Sequence, residues 1–282
     1  MTACTGVCSW SLRPSSPRDL ADKVRACGLD AVQLALDPVR TGAWNERETI
    51  DTLAAAGITI LSGMMGTKGE DYSTLDSIRR TGGLRPDLHW SDNLAAANAN
   101  ADLARRLALP LVTFHAGFLP HGPDNPERAV MLDRLRAVAR VFADRGVRVG
   151  LETGQESALT LLAVLRDLDT PSVAVNFDPA NMILYGMGDP VGALRALAPR
   201  VMQVHIKDAL PPLVPGQWGT EVVVGTGAVD WPAFVDILRA IKRPCDLVIE
   251  REAGDNRVAD IRAAASLLRG SPWHSVLKAA PR

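Results

Sequence analysis

Charge imbalance, cysteine pairs and long apolar runs are all missing from this 282-residue chain, and each absence removes a class of function. Lys and Arg number 31 against 32 Asp and Glu, a net charge of −1. A nucleic-acid surface needs a basic excess, so no nucleic-acid partner is expected. No stretch approaches the ~20 apolar residues that span a bilayer, so no membrane partner is expected either. Residues 1–12 have neither the basic start nor the sustained apolar core of a signal peptide. The four cysteines, Cys4, Cys8, Cys27 and Cys245, form no Cys-x-x-Cys pair and no disulfide framework. They read as reduced thiols of a cytoplasmic protein. There is no internal repeat and no low-complexity tract. No glycine-rich loop with a following Lys and Ser/Thr marks a phosphate site. Backbone amides at a helix start can hold a phosphate without such a signature, so phosphate recognition stays open at this point.

What is present is regular. With 47% hydrophobic and 22% charged residues, the composition is that of a soluble globular protein with a sizeable core. Eight short, apolar, strand-like runs fall at 6–10, 31–35, 58–62, 111–115, 147–151, 172–177, 201–205 and 247–250. Amphipathic segments near 17–27, 45–56, 91–108, 125–145, 157–168, 190–198, 231–241 and 256–269 alternate with them. Ser16 before Pro17, Ser91, Asp124, and Asp230 before Trp231-Pro232 supply helix caps. Gly28, Gly57 and Gly146 stand where helices should end. Eight alternations in about 270 residues predict a (β/α)8 barrel, a single domain over 1–270 followed by a tail at 271–282. An open doubly wound sheet is the alternative, but no Gly-x-Gly-x-x-Gly follows the first run to support it. Two connections, 63–90 and 209–229, are rich in Gly and Pro and too long for ordinary βα loops. Both follow the carboxyl end of a strand, so both should overhang the active face as lids or binding loops.

Four chemistry-bearing side chains end successive runs: Glu152 in Val-Gly-Leu-Glu-Thr-Gly, Asp178 in Val-Asn-Phe-Asp-Pro, His205 in Val-His-Ile-Lys-Asp, and Glu250 in Leu-Val-Ile-Glu-Arg-Glu. On a parallel barrel all four point at one place above the mouth. Three carboxylates and one imidazole make a mostly hard-oxygen site for a divalent metal.

These motifs, together with Val7-Cys8-Ser9-Trp10, His205-Ile-Lys-Asp208 and Gly225-Thr-Gly-Ala-Val-Asp-Trp231, resemble the sugar-phosphate isomerase/epimerase group of xylose-isomerase-like TIM barrels. That superfamily also contains apurinic endonucleases. The resemblance covers most of the chain and is strongest over 150–252. It implies that Glu152, Asp178, His205 and Glu250 ligate one divalent ion, Mn²⁺ in first place with Mg²⁺, Co²⁺ or Zn²⁺ compatible. It also implies an isomerase or epimerase acting on a ketose or sugar phosphate. The ion would chelate a carbonyl and its adjacent hydroxyl and stabilise the enediolate left when a proton departs, with Glu152 and Glu250 as the two bases.

Further candidates surround this set. His115, ending the fourth run, reads as a substrate hydrogen-bonding group or a residue that orients a ligand. Lys207 points to the same side as His205, two residues before it. Asn181, three after Asp178, is placed to meet substrate, and Trp10 and Gln33 are placed to line a sugar pocket; Met64 and Met65 stand beside them but read first as packing residues. His89, His121 and His274 read as exposed loop or tail residues, and Glu156, Glu221, Arg251 and Glu252 as charged neighbours of the site. The partner is therefore a small-molecule sugar, with a homo-oligomeric state compatible. A keto-sugar or keto-glycoside lyase or isomerase would use the same residues but expel a leaving group. A non-catalytic sugar-binding protein would have no reason to keep four ligands. An endonuclease of the superfamily would need several more histidines than this chain brings to the face.

Overall fold

The computed structural model describes residues 4–270 apart from Pro123, Pro215 and Lys242. Eight parallel strands close into a barrel: β1 (Thr5–Cys8), β2 (Ala31–Ala35), β3 (Thr59–Met64), β4 (Leu111–Phe114), β5 (Arg148–Glu152), β6 (Val173–Phe177), β7 (Val201–Ile206) and β10 (Asp246–Ile249). The last closes against the first, with Gly6 opposite Val248. Between β7 and β10, the antiparallel pair β8 (Asp208–Leu210) and β9 (Thr220–Val222) forms a separate hairpin. The strands are buried on both faces, β4 and β6 along their whole length, because helices cover the outside and side chains fill the inside. Phe142, Leu161 and Phe234, from three of these helices, join the strands in one continuous apolar core.

The expected strands are found within two residues of their expected bounds. Side-chain caps start the helices Pro17–Ala26, Glu46–Ala55, Ala158–Leu168 and Trp231–Ala240, from Ser16, Asn45, Ser157 and Asp230. Gly28, Gly57 and Gly146 all adopt positive φ just past a helix end, the left-handed exit that glycine makes without strain. Two caps are corrected. The helix over Asp87–Arg106 begins after Pro86, so Ser91 lies inside it. Asn125, not Asp124, caps Pro126–Ala143, accepting from the Glu127 amide. His89 consequently sits in a helix rather than a loop, whereas His121 is an exposed loop residue as expected. His274 and the 271–282 tail lie outside the described residues.

Three short helices were not anticipated, the first of them Asp37–Arg40 after β2. Leu75–Thr81 occupies part of the long connection after β3, and Pro179–Leu184 starts directly at Asp178. No helix among the described residues is long and apolar enough to cross a membrane.

Candidate metal and substrate site

The strand geometry carries Glu152 to the end of β5, Asp178 just past β6, His205 near the end of β7 and Glu250 just past β10. All four are buried, and one ligand atom from each lies within 4.8 Å of the others. His205 Nδ1 is the centre: Glu152 Oε1 and Glu250 Oε2 are each 3.3 Å away, and Asp178 Oδ2 is 3.7 Å away. Neither His205 Nδ1 nor Asp178 Oδ2 has a hydrogen-bond partner. Unpartnered buried polar atoms are costly, and two aimed at one point amid carboxylates fit a divalent cation between them. Cys8, His205 and Glu250 form the other metal-capable group found among the described residues, and it shares two members with the first.

Beneath these ligands the barrel interior is unusually polar. Ser62 Oγ donates to Gln203 Oε1 (2.5 Å), Gln203 Nε2 to Asn176 Oδ1 (3.1 Å), and Asn176 Nδ2 to Glu152 Oε2 (3.3 Å). Gln33 Nε2 donates to Thr113 Oγ1 at 2.7 Å, which turns Gln33 Oε1 toward His205 Nε2, 2.8 Å away. Asn176 Nδ2 also lies 3.0 Å from Nε2, but the contact with the Gln33 acceptor is shorter and favours the proton on Nε2, the tautomer that leaves the Nδ1 lone pair for a metal. Gln33 was expected on the pocket wall. It is fully buried instead, bonded to Thr113 and His205, and is not among the residues that line the cavity.

Hydrogen bonds hold each of the four side chains in place. The indole of Trp10, in the turn Ser9–Leu12 after β1, donates to Glu250 Oε1 at 2.7 Å. Asn181 Nδ2 donates to Glu152 Oε1 at 3.0 Å. Asp178 caps its short helix by accepting the Asn181 amide on Oδ1, leaving Oδ2 free for the site. The Lys207 ammonium lies 2.9 Å from Glu250 Oε2, 2.7 Å from Glu252 Oε2 and 3.3 Å from Asn181 Oδ1. His115 Nε2 is 3.6 Å from Glu152 Oε1.

The electrostatics follow from this crowding. Burial pushes the Glu250 carboxyl up, but Lys207 and His205 outweigh it and hold it well below the usual carboxylate range. Burial likewise opposes ionisation of Glu152, yet His115 and His205 bring it below its ordinary value. Asp178 is less well compensated: burial, only partly offset by Lys207, raises it to about 6. Lys207 stays charged, its carboxylate partners outweighing the desolvation that would neutralise it.

A cavity of about 470 Å³ borders the ligands, and His115, Asn181, Lys207, Glu250, Trp10, Met64 and Met65 all reach its wall. Among the wall residues not anticipated as such are Asp37, Glu70, Tyr72, Tyr185 and Trp218. Glu70 and Tyr72 come from the connection after β3 and Trp218 from the β8–β9 hairpin loop, so both long connections do reach the carboxyl face. Glu252 lines the same wall, while Glu221 and Arg251 pair with each other at 2.9 Å beside it. Asn176 and Gln203 also went unnoticed, although a lone amide inside a buried apolar strand is itself a signal that something must pair with it.

A closed parallel barrel with a buried acid–imidazole cluster at its carboxyl mouth defines a class, and comparison with known proteins agrees. The family model described as xylose isomerase-like TIM barrel matches residues 21–270. The chain belongs to that family. It is 34% identical to a solved xylose isomerase domain protein from Planctomyces limnophilus, covering 88% of this chain and 89% of that one, with a TM-score of 0.81. It is 29% identical over 160 residues to the uncharacterized protein YihM of Escherichia coli (strain K12). That match spans 56% of this chain and 47%, about half, of the relative's length. A D-allulose 3-epimerase from Methylomonas sp., solved with D-allulose, shares the fold at a TM-score of 0.70, covering 95% of this chain and 96% of that one at 16% identity.

Proposed function

We propose that this chain is a divalent-metal-dependent isomerase or epimerase of a keto-sugar, which moves a proton on the carbon next to the carbonyl. The observation that carries the reading is the convergence of Glu152 and Glu250 on His205 Nδ1 from strands on either side of it, with Asp178 Oδ2 unpartnered beside them. A divalent ion held by Glu152, Asp178, His205 and Glu250 would supply Lewis-acid polarisation of a carbonyl and its neighbouring hydroxyl. Everything else falls to the chain. His115 beside Glu152 and Lys207 beside Glu250 favour the ionised carboxylates, the form a base needs at neutral pH. Their second oxygens are tied to Asn176 and to the Trp10 indole, so each carboxylate is aimed before substrate arrives. One takes the proton from its face of the carbon and the other returns a proton to the opposite face. Lys207, Asn181 and His115 line the cavity beside them as hydrogen-bonding groups for substrate oxygens. The D-allulose bound by the structurally similar epimerase supports a keto-sugar as ligand.

The aromatic part of the wall favours a second reading. Tyr185 and Trp218 pack edge to face at 4.8 Å in a cavity large enough for more than one sugar ring, which suits a keto-glycoside. Proton removal by the same glutamates could then end in loss of a leaving group rather than reprotonation.

In D₂O, turnover of a keto-sugar should place solvent deuterium at the reacting carbon. Glu152→Gln and Glu250→Gln should each lower the rate at least ~10²-fold. Turnover without deuterium, or near-normal rates in both variants, would rule the mechanism out. Elemental analysis should find one divalent ion per chain, and two or three tightly held ions would contradict the single site.

A further inference from the structure

A phosphate ester on a barrel of this kind is held by backbone amides of the loops after the late strands, by a helix start, or by Arg and Lys side chains. In this chain those donors are already spent. The loop after β7 does curl into a nest of amides: the N–H groups of Ala209 (2.9 Å), Gly225 (2.9 Å), Gly227 (3.1 Å) and Val229 (3.2 Å) converge, joined by Trp231 Nε1 (2.9 Å). What they converge on is the buried carboxylate of Asp208. An anion-binding concavity exists, and the chain fills it with its own anion. The packing is close enough that a Cβ on residue 227 would stand 2.1 Å from Asp208 Oδ1. The helix start nearest the ligands is closed in the same way, since Asp178 takes the Asn181 amide.

The cavity wall offers no substitute. Among the described residues that line it there is no arginine, and Lys207 is the one lysine. Its ammonium is committed to Glu250 and Glu252, at 2.9 and 2.7 Å. Facing the same space are the carboxylates of Glu70 and Glu252. Glu70 accepts from Thr67 Oγ1, the Tyr72 hydroxyl and the Gly83 amide, and among the described residues it makes no salt bridge. A phosphate or carboxylate entering this cavity meets the carboxylates of Glu70 and Glu252, and the His115 imidazole, drawn toward Glu152, is the one other side chain on the wall that can carry positive charge. A sugar hydroxyl meets acceptors, and a sugar ring meets the faces of Tyr185 and Trp218.

We infer that the substrate is uncharged: a free keto-sugar or keto-glycoside rather than a sugar phosphate or a sugar acid. The inference rests on the keto-sugar reading above and narrows it. The test takes the full chain loaded with Mn²⁺ and a panel of D-fructose, D-tagatose, D-allulose and methyl 3-keto-D-glucoside, each also as its 6-phosphate. Binding is measured by calorimetry and solvent exchange by NMR in D₂O. At least one free sugar should bind and exchange, with its phosphate at least ~10-fold weaker at low salt. Added salt and the Glu70→Gln substitution should both narrow that gap, because both weaken the repulsion. Equal or tighter binding of the phosphate esters would overturn the inference while leaving metal-dependent proton transfer standing. Failure of every sugar in both forms to bind or exchange would overturn the keto-sugar reading itself, and this inference with it.

Discussion

Replacing Glu156 by glutamine should make the protein more stable at neutral pH, although the residue lies only four positions from Glu152. Its side chain is 3% exposed, and it has neither a cation nor a hydrogen-bond partner among the described residues. Burial alone pushes its carboxyl from 4.5 up to about 8. The folded state therefore keeps a proton that the unfolded chain releases, and stability falls as pH rises from about 4.5 to about 8. At about 1.4 kcal/mol per pH unit, the penalty at pH 7 is about 3 kcal/mol. Burying the glutamine amide gives back about 1 kcal/mol of the gain, leaving a net stabilisation of about 2 kcal/mol. Urea unfolding of both proteins at pH 5 and pH 7.5 measures this directly. The parent should lose about 3 kcal/mol more than the variant between the two pH values. Parallel pH dependence in the two proteins would refute the reasoning, because it would mean that Glu156 is ionised in the fold.

Two other consequences are open to measurement. Gln33→Leu removes the acceptor that keeps the proton on His205 Nε2, so Mn²⁺ affinity measured against a competing chelator should fall ~10–100-fold with the fold intact; unchanged affinity would show that the amide does not orient the imidazole. Burial raises the Cys27 thiol to about 11 and Cys245 to about 12, and pushes buried Cys8 higher still, whereas Cys4 is exposed. Native protein should therefore react with a disulfide reagent at one thiol and unfolded protein at four, and two or more fast native thiols would contradict this burial.

Strand positions and the four strand-end residues that cluster at the mouth were legible in the chain because both are local. A short β-branched run bounded by turn residues can only be a buried strand, and a carboxylate or imidazole ending such a run must sit at the mouth of a parallel barrel. The start of a helix is also local, but only where one cap competes with no other. Ser91 looked like a cap, yet Pro86 four residues before Trp90 already opens the helix. Depth was not legible. Alternation says that Gln33 points into the barrel, but the stagger of the strands decides whether an inward residue meets substrate or lies beneath the ligands. For the same reason each strand shows a polar residue that needs a partner but not which one, and the chain of Ser62, Gln203 and Asn176 is drawn from three strands.

The amino-acid sequence by itself determined the eightfold alternation, which four acid and imidazole side chains end successive strands, and the lack of a phosphate-loop signature. Only the tertiary structure decided what charge the cavity presents. That depends on where two long connections fold back: they bring Glu70 and Trp218 onto the wall and turn Gly225 and Gly227 onto Asp208. These contacts join residues far apart in the chain, and their energies are set by burial and by the low dielectric around them, which exist only after the barrel has closed.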